Sequence, residues 1–210
     1  MTDSPLNKPE ISVVIPFHNE SDNIIPLIEE TTGVLEGLVS YEVVCVDDGS
    51  TDDTLSKLLT AARRFGNVRI IQHLQCCGQS AAVKSGVTAA RGDWVVTMDG
   101  DGQNDPASIA DLLAARKAAA QNSRLRMICG WRKERLDSWD KRLSSKIANK
   151  VRGALLKDET PDTGCGLKLI SRDAFQKLPF FDHLHRFLPA LILRDGGEII
   201  SIPVKHRPRV

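Results

Sequence analysis

Short apolar runs alternate with longer amphipathic stretches along most of this chain. Ile11-Ser-Val-Val-Ile15 is a β-branched run ended by Pro16, and Tyr41–Val46, Val68–His73 and Trp94–Met98 repeat the pattern. Runs of this length and composition read as buried strands. Between them, Asn23–Glu36 carries Ile24, Ile25, Leu27, Ile28 and Leu35 at helical spacing and predicts a helix, as do Ser80–Ala90 and Ala107–Ala120. Ser50 or Thr51 is a suitable N-cap for a further helix, with Asp52 and Asp53 placed to favour its first turn. Arg126–Cys129 predicts another strand. Strands separated by helices of this length form right-handed βαβ units on a mostly parallel sheet. With no internal repeat, low-complexity tract or linker, the chain reads as a single α/β domain over residues 1–210.

The stretch Ser138–Leu156 differs. Trp139, Leu143, Ile147, Val151 and Leu155 recur every four residues, and Lys141, Arg142, Lys146, Lys150 and Arg152 surround them. The pattern serves a helix with a core stripe and a solvated face, and equally a basic amphipathic helix lying on an anionic membrane surface.

Composition narrows the class. At 210 residues, 41% hydrophobic and 26% charged, the chain is that of an ordinary globular domain. Its longest apolar run, Phe187–Leu193, is far short of a membrane span. The polar start MTDSPLNKPE lacks an apolar signal core, which predicts an intracellular chain. Cys45, Cys76, Cys77, Cys129 and Cys165 are odd in number and lack C-x-x-C spacing, so small core hydrophobes in a reducing cytosol are expected rather than disulfides or zinc. The net charge of +1 hides an asymmetry: residues 1–123 carry 9 basic and 17 acidic side chains, whereas residues 124–157 carry 11 basic and 3 acidic. Such halves suit a cation in one place and polyanions in another. The basic stretch has few aromatics for stacking, and a pI of about 7.7 argues against a nucleic-acid partner.

Ligands of open α/β sheets bind at the carboxyl ends of the strands. Three predicted strand ends carry acidic groups here: Pro16-Phe17-His18-Asn19-Glu20, Asp47-Asp48-Gly49-Ser50 and Asp99-Gly100-Asp101-Gly102-Gln103. Neither G-x-G-x-x-G nor a P-loop follows the first strand, so a nucleotide would bind through side chains and a metal. Two carboxylates one residue apart at a strand-to-loop junction can converge on Mg²⁺ or Mn²⁺, with Gln103 as a further ligand. A metal held there would neutralise the diphosphate of a nucleotide-sugar and improve it as a leaving group.

Ile-Pro-Phe-His-Asn-Glu (15–20), Val-Asp-Asp-Gly-Ser-Thr-Asp (46–52), Cys-Gly-Gln-Ser-Ala-Ala (77–82) and Met-Asp-Gly-Asp-Gly-Gln (98–103) resemble the successive motifs of family 2 glycosyltransferases. Gly-Trp-Arg (130–132), Lys-Arg-Leu-Ser-Ser-Lys (141–146), Asp-Thr-Gly-Cys-Gly-Leu-Lys (162–168) and His-Arg-Pro-Arg (206–209) are similar to the branch of dolichol-phosphate mannosyltransferase and the polyprenyl-phosphate sugar transferases. The Gln-x-x-Arg-Trp motif of the processive synthases is absent from the sequence. The resemblance implies a GT-A fold, with residues 1–123 as nucleotide-sugar and metal half and 124–210 as acceptor half. It implies that Pro16, His18, Glu20, Asp48, Gly78, Lys84 and Asp99 meet the nucleotide-sugar. His18 stands where relatives often carry Tyr. Asp99, Asp101 and Gln103 would hold the metal. Arg132, Arg142, Ser145 and Arg209 would receive the acceptor phosphate, with Asp162 as a base or orienting group and Lys168 assisting the diphosphate. Structural roles stand as alternatives: Pro16 ending its strand, Glu20 capping the next helix and Asp48 serving its turn.

A phosphate monoester has a second pKa near 6 and is largely ionised at neutral pH, so it needs cations to place it more than a base to activate it. The expected activity is inverting, metal-dependent transfer of a hexose from a UDP- or GDP-sugar to a polyprenyl phosphate (dolichyl or undecaprenyl). The expected location is the cytosolic membrane face, reached peripherally or through a membrane-anchored partner subunit. Two rivals stand beside it. A sugar-phosphate nucleotidyltransferase would carry a glycine- and lysine-rich loop where Phe17-His18-Asn19-Glu20 stands. A non-catalytic or truncated binding subunit is suggested by the end of the sequence at Val210, where relatives continue.

Overall fold

The computed structural model describes residues 8–132 and 160–208. The basic helix expected over Ser138–Leu156 lies outside the described residues, as do Arg142, Ser145 and Arg209. The described residues form a seven-stranded sheet in the order β3-β2-β1-β4-β6-β5-β7. Its strands are β1 (Ile11–Phe17), β2 (Tyr41–Asp47), β3 (Val68–Gln72), β4 (Trp94–Thr97), β5 (Leu125–Arg132), β6 (Lys168–Ser171) and β7 (Glu198–Val204). β6 alone runs against its neighbours, antiparallel to both β4 and β5. The α-helices among the described residues are α1 (Ile24–Leu35), α2 (Thr54–Arg64), α3 (Gln79–Ala89), α4 (Ser108–Ala118), α5 (Arg172–Gln176) and α6 (Leu184–Arg194).

Strands covered on both faces read as continuous apolar runs, because successive side chains enter opposite layers. Val13, Ile15, Val43, Cys45 and Val96 enter one layer with Ile24, Ile28, Leu58 and Ile109 from α1, α2 and α4. Val14, Val44 and Val95 enter the other with Val83 and Val87 of α3, Phe175 of α5 and Leu188 of α6. Burying each such side chain is worth about 1.5–3 kcal/mol against leaving it exposed. A second anchor lies at the start of the strands. Glu42 is buried and accepts from the Ser12 hydroxyl at 2.7 Å, Arg69 at 2.8 Å and Arg91 Nε at 3.0 Å. Burial alone would raise its pKa, but Arg69, the Arg91 amide and Ser12 bring it below the ordinary carboxylate value.

Two expectations are corrected. Neither Ser50 nor Thr51 caps α2, which starts later at Thr54. The Ser50 hydroxyl accepts from the Asn19 amide at 3.0 Å and the Thr51 amide donates to Asn19 Oδ1 at 2.8 Å, so both residues tie the loop after β2 to the loop after β1. Nor are the cysteines uniformly core: Cys45, Cys129 and Cys165 are buried, whereas Cys76 and Cys77 are exposed. β1 has β2 on one flank and β4 on the other, so chain order reverses between β1 and β4. The crevice of an α/β sheet opens at such a reversal.

Candidate active site

At that reversal the three acidic strand ends converge. Pro16, Phe17, His18 and Glu20 from the end of β1, Asp48 after β2, Gln79 at the start of α3, and Asp99, Gly100 and Asp101 after β4 line a cavity of about 290 Å³. Gly100 permits this closeness: a Cβ there would stand 2.5 Å from the Pro16 carbonyl and 2.6 Å from the Phe17 ring. The Asp99 amide donates to Asn104 Oδ1 at 2.9 Å, and the Asp99 carboxylate accepts from Gln79 Nε2 at 2.7 Å. Asp101 accepts from the Gln103 amide at 3.1 Å, which folds the loop back on itself. Burial lifts the Asp99 carboxyl above its ordinary value; the charge of Lys168 opposes this and that of Asp101 adds to it. Two like-charged carboxylates lining one cavity, one with raised proton affinity, is the arrangement a hard divalent cation relieves. The oxygen-only donor set suits Mg²⁺ or Mn²⁺.

Asp99 and Gln79 also form one wall of a second cavity, of about 490 Å³, whose other walls include Arg132, Asp162, Lys168, His185 and Arg186. Here the charge is mostly positive. Arg132 closes a fork on Asp162, Nε to Oδ2 at 2.7 Å and Nη2 to Oδ1 at 3.0 Å, with 13% and 4% of the two side chains exposed. Asp162, the expected base or orienting group, thus lines this cavity with both carboxylate oxygens accepting from Arg132. Lys168 is buried on β6, and its ammonium donates to the Cys165 carbonyl. His185 meets the Ser80 hydroxyl through Nδ1 at 2.8 Å. Burial, reinforced by Lys168 and Arg186, pushes its pKa down to about 4.

The remaining expected residues are placed as follows. Asp48 is buried and holds the loop before α3: its oxygens accept from the Cys77 amide at 2.9 Å, the Gly78 amide at 2.8 Å and His73 Nδ1 at 2.7 Å. Burial alone would raise its pKa, but these donors hold it below the ordinary value. Gly78 is thus part of that loop's anchorage. His18 Nδ1 meets the Asp48 carbonyl at 2.9 Å, and Glu20 accepts from Asn23 Nδ2 at 2.8 Å. Lys84 lines neither cavity; its ammonium stands 5.3 Å from the centre of the Phe180 ring. Several contributors escaped the sequence reading. Gln79 lies inside the Cys-Gly-Gln-Ser motif but was assigned no role, and Gly166 presses on Asp99 so closely that a Cβ would stand 2.1 Å from Oδ2. Arg207 donates its amide to the Gln103 carbonyl at 2.8 Å and its guanidinium to Asp105 at 2.9 Å, which fastens the segment after β7 to the Asp101 loop. No helix among the described residues is long and apolar enough to cross a membrane.

Residues 12–179 match the model of glycosyl transferase family 2. The chain is 34% identical over 216 residues to a dodecaprenyl-phosphate galacturonate synthase of Rhizobium johnstonii, covering 99% of this chain and 62% of the relative. It is 32% identical over 202 residues to an undecaprenyl-phosphate 4-deoxy-4-formamido-L-arabinose transferase of Edwardsiella ictaluri, covering 95% and 60%. The chain therefore spans about three fifths of the length of these relatives. Among solved structures it superposes on glucosyl-3-phosphoglycerate synthase from Mycobacterium tuberculosis, in complex with Mn²⁺, UDP-glucose and phosphoglyceric acid, with a TM-score of 0.69. That match has 22% identity and covers 96% of this chain and 73% of the other, a likeness of fold.

Proposed function

This chain belongs to glycosyl transferase family 2, and on that premise we propose that it transfers a sugar from a UDP- or GDP-sugar to a polyprenyl phosphate. One observation carries the reading: Asp99 and Gln79 form a shared wall between an acidic cavity at the sheet's reversal point and a cavity lined by Arg132, Lys168 and Arg186. An anionic donor bound with a cation fits the first, and a phosphate acceptor fits the second.

In this reading the nucleotide lies against Pro16, His18, Glu20 and Asp48, and Asp99 and Asp101, with Gln103, hold Mg²⁺ or Mn²⁺. The ion supplies charge neutralisation to the leaving diphosphate. Arg132, kept in orientation by Asp162, receives the acceptor phosphate, and Lys168 adds positive charge beside Asp99. An acceptor phosphate oxygen attacks the anomeric carbon and forms the new carbon–oxygen bond. The bond to the diphosphate breaks with its electron pair going to the leaving nucleoside diphosphate, and attack from the opposite side inverts the anomeric configuration. The acceptor is already ionised, so no side chain needs to take a proton. This agrees with an Asp162 carboxylate engaged by Arg132. Action on a lipid acceptor puts the protein peripherally at the cytosolic membrane face, directly or through an anchored partner subunit. Support for the acceptor class comes from the two polyprenyl-phosphate relatives.

The test incubates the purified chain with UDP- and GDP-sugars, Mn²⁺ and a short polyprenyl phosphate. Nucleoside diphosphate release and the lipid phosphosugar are followed by mass spectrometry. Release that requires the polyprenyl phosphate, disappears with EDTA and is lost in Asp101→Asn supports the proposal. Nucleotide binding without transfer to any phosphate acceptor would identify a binding subunit, and nucleoside triphosphate formation when pyrophosphate is added would identify a nucleotidyltransferase. Either result overturns it.

A further inference from the structure

The loop between β3 and α3 brings together donors of a different chemistry. A carboxylate oxygen of Asp48, a ring nitrogen of His73 and the thiol sulfur of Cys77 all lie within 4.8 Å of one another. We propose that Asp48, His73 and Cys77 bind a thiophilic divalent cation such as Zn²⁺, through a donor set separate from the Asp99 and Asp101 carboxylates.

Zn²⁺ takes sulfur, imidazole nitrogen and carboxylate oxygen at about 2.0–2.3 Å, which places tetrahedral ligand atoms roughly 3.3–3.8 Å apart. His73 Nδ1 and Asp48 Oδ1, now 2.7 Å apart, need to separate by about half an ångström, and the thiol of exposed Cys77 can turn in by side-chain rotation. The ion takes the place of the proton between His73 Nδ1 and Asp48 Oδ1. His73 Nε2 already meets the Ser85 hydroxyl at 2.9 Å, a group that accepts from the ring once Nδ1 is a ligand. Ligating histidines typically have their second nitrogen held in this way. Asp48 keeps the amides of Cys77 and Gly78 as donors, so its remaining lone pairs stay satisfied. Binding releases the Cys77 thiol proton to solvent and leaves a carboxylate and a thiolate to balance the two charges of the ion. A neighbouring thiol, Cys76, lies 3.5 Å from Asp48 Oδ2. Asp99 and Asp101 offer only oxygen and suit harder ions, so the two sets select different metals. A filled site would fasten the 73–78 loop to the end of β2, beside the 290 Å³ cavity that Asp48 also lines.

Cobalt titration of the reduced protein tests the site without any assay of activity. Co²⁺ should bind with one equivalent showing thiolate-to-metal charge-transfer absorption, and one equivalent of Zn²⁺ should displace it. Cys77→Ser keeps the backbone amide that Asp48 uses; it should abolish the absorption and weaken Zn²⁺ by more than the 10–100-fold expected on losing an outer partner. Ser85→Ala, which removes that outer partner, should weaken Zn²⁺ by roughly 10–100-fold with the absorption retained. Asp101→Asn should leave both unchanged. Absence of thiolate absorption in the folded wild-type protein, or its persistence in Cys77→Ser, overturns the proposal. So does its loss in Asp101→Asn.

Discussion

Replacing Gly166 with alanine should disable the Asp99 carboxylate without altering its chemistry. A Cβ at this position would stand 2.1 Å from Asp99 Oδ2, 2.3 Å from Cγ and 2.5 Å from Oδ1, whereas real Cβ contacts do not fall below 3.0 Å. The carboxylate must therefore move by about an ångström. Gly166 does not occupy the left-handed region, so alanine brings no backbone strain and the contact itself is the perturbation. Asp99 can swing towards the cavities it lines, but doing so strains its 2.7 Å bond from Gln79. Overpacking of this kind costs about 1–3 kcal/mol. In a domain of this size that lowers the unfolding temperature by roughly 2–12 °C. Misplacing a group in the reacting geometry by 1 Å costs about 100-fold in rate, so kcat/KM for the proposed sugar transfer should fall about 100-fold. Mn²⁺-dependent nucleotide binding, read by calorimetry, should weaken in parallel. The control is Asp99→Ala, which removes the atoms in the way. Adding Gly166→Ala to it should cost no further stability, giving an interaction energy of about 1–3 kcal/mol in the double-mutant cycle. Wild-type kcat/KM in Gly166→Ala, or stability losses that simply add in the double variant, would refute the reasoning.

Asp162→Ala should destabilise the fold by about 1.5–3 kcal/mol in chemical denaturation, because it removes the charge-assisted hydrogen bonds of the Arg132 fork. Glu42→Gln should cost about 1–3 kcal/mol, a figure kept low because the Arg69 and Arg91 side chains are 41% and 50% exposed. The folded pKa of Glu42 lies below the ordinary 4.5, so its contribution is complete above that pH and fades as pH falls through the lower folded value. The acid limb of wild-type stability should accordingly be steeper than that of Glu42→Gln in a pH series of thermal melts. His185 should add a second slope at higher pH: burial pushes its pKa from 6.5 to about 4, so its contribution should be full above about pH 6.5 and decline towards pH 4. Melts of His185→Gln across that window should be flatter than wild type, and equal slopes would argue against a buried neutral imidazole.

The first five strands were legible because burial writes them as apolar runs, Arg126–Cys129 marking the middle of β5, and the acidic tips of β1, β2 and β4 followed from where such strands end. The later elements lack that signature. β6 is four residues long and begins with Lys168; β4 and β5 hold it in place on either side by antiparallel pairing, a tertiary cause with no local trace. α6 carries Pro189 in its middle, which reads as a break, yet Leu188 and Ile192 bury it against the sheet. β7 is a half-exposed edge strand containing Pro203, a residue tolerated where the ladder is open on one side. The site divides along the same line. Pro16, His18, Glu20, Asp48, Asp99 and Asp101 come from strand ends brought side by side by the sheet, so motif positions alone predicted that they would meet. What those carboxylates hold was not legible, because it depends on segments distant in sequence: His73 and Cys77 reach Asp48, Gln79 reaches Asp99, and Arg132 reaches Asp162 across 30 residues. The exposure of Cys76 and Cys77 has the same origin. Asp48 draws the Cys77 and Gly78 amides inward and so fixes the loop at the surface, where both cysteines are exposed against the expectation from residue type.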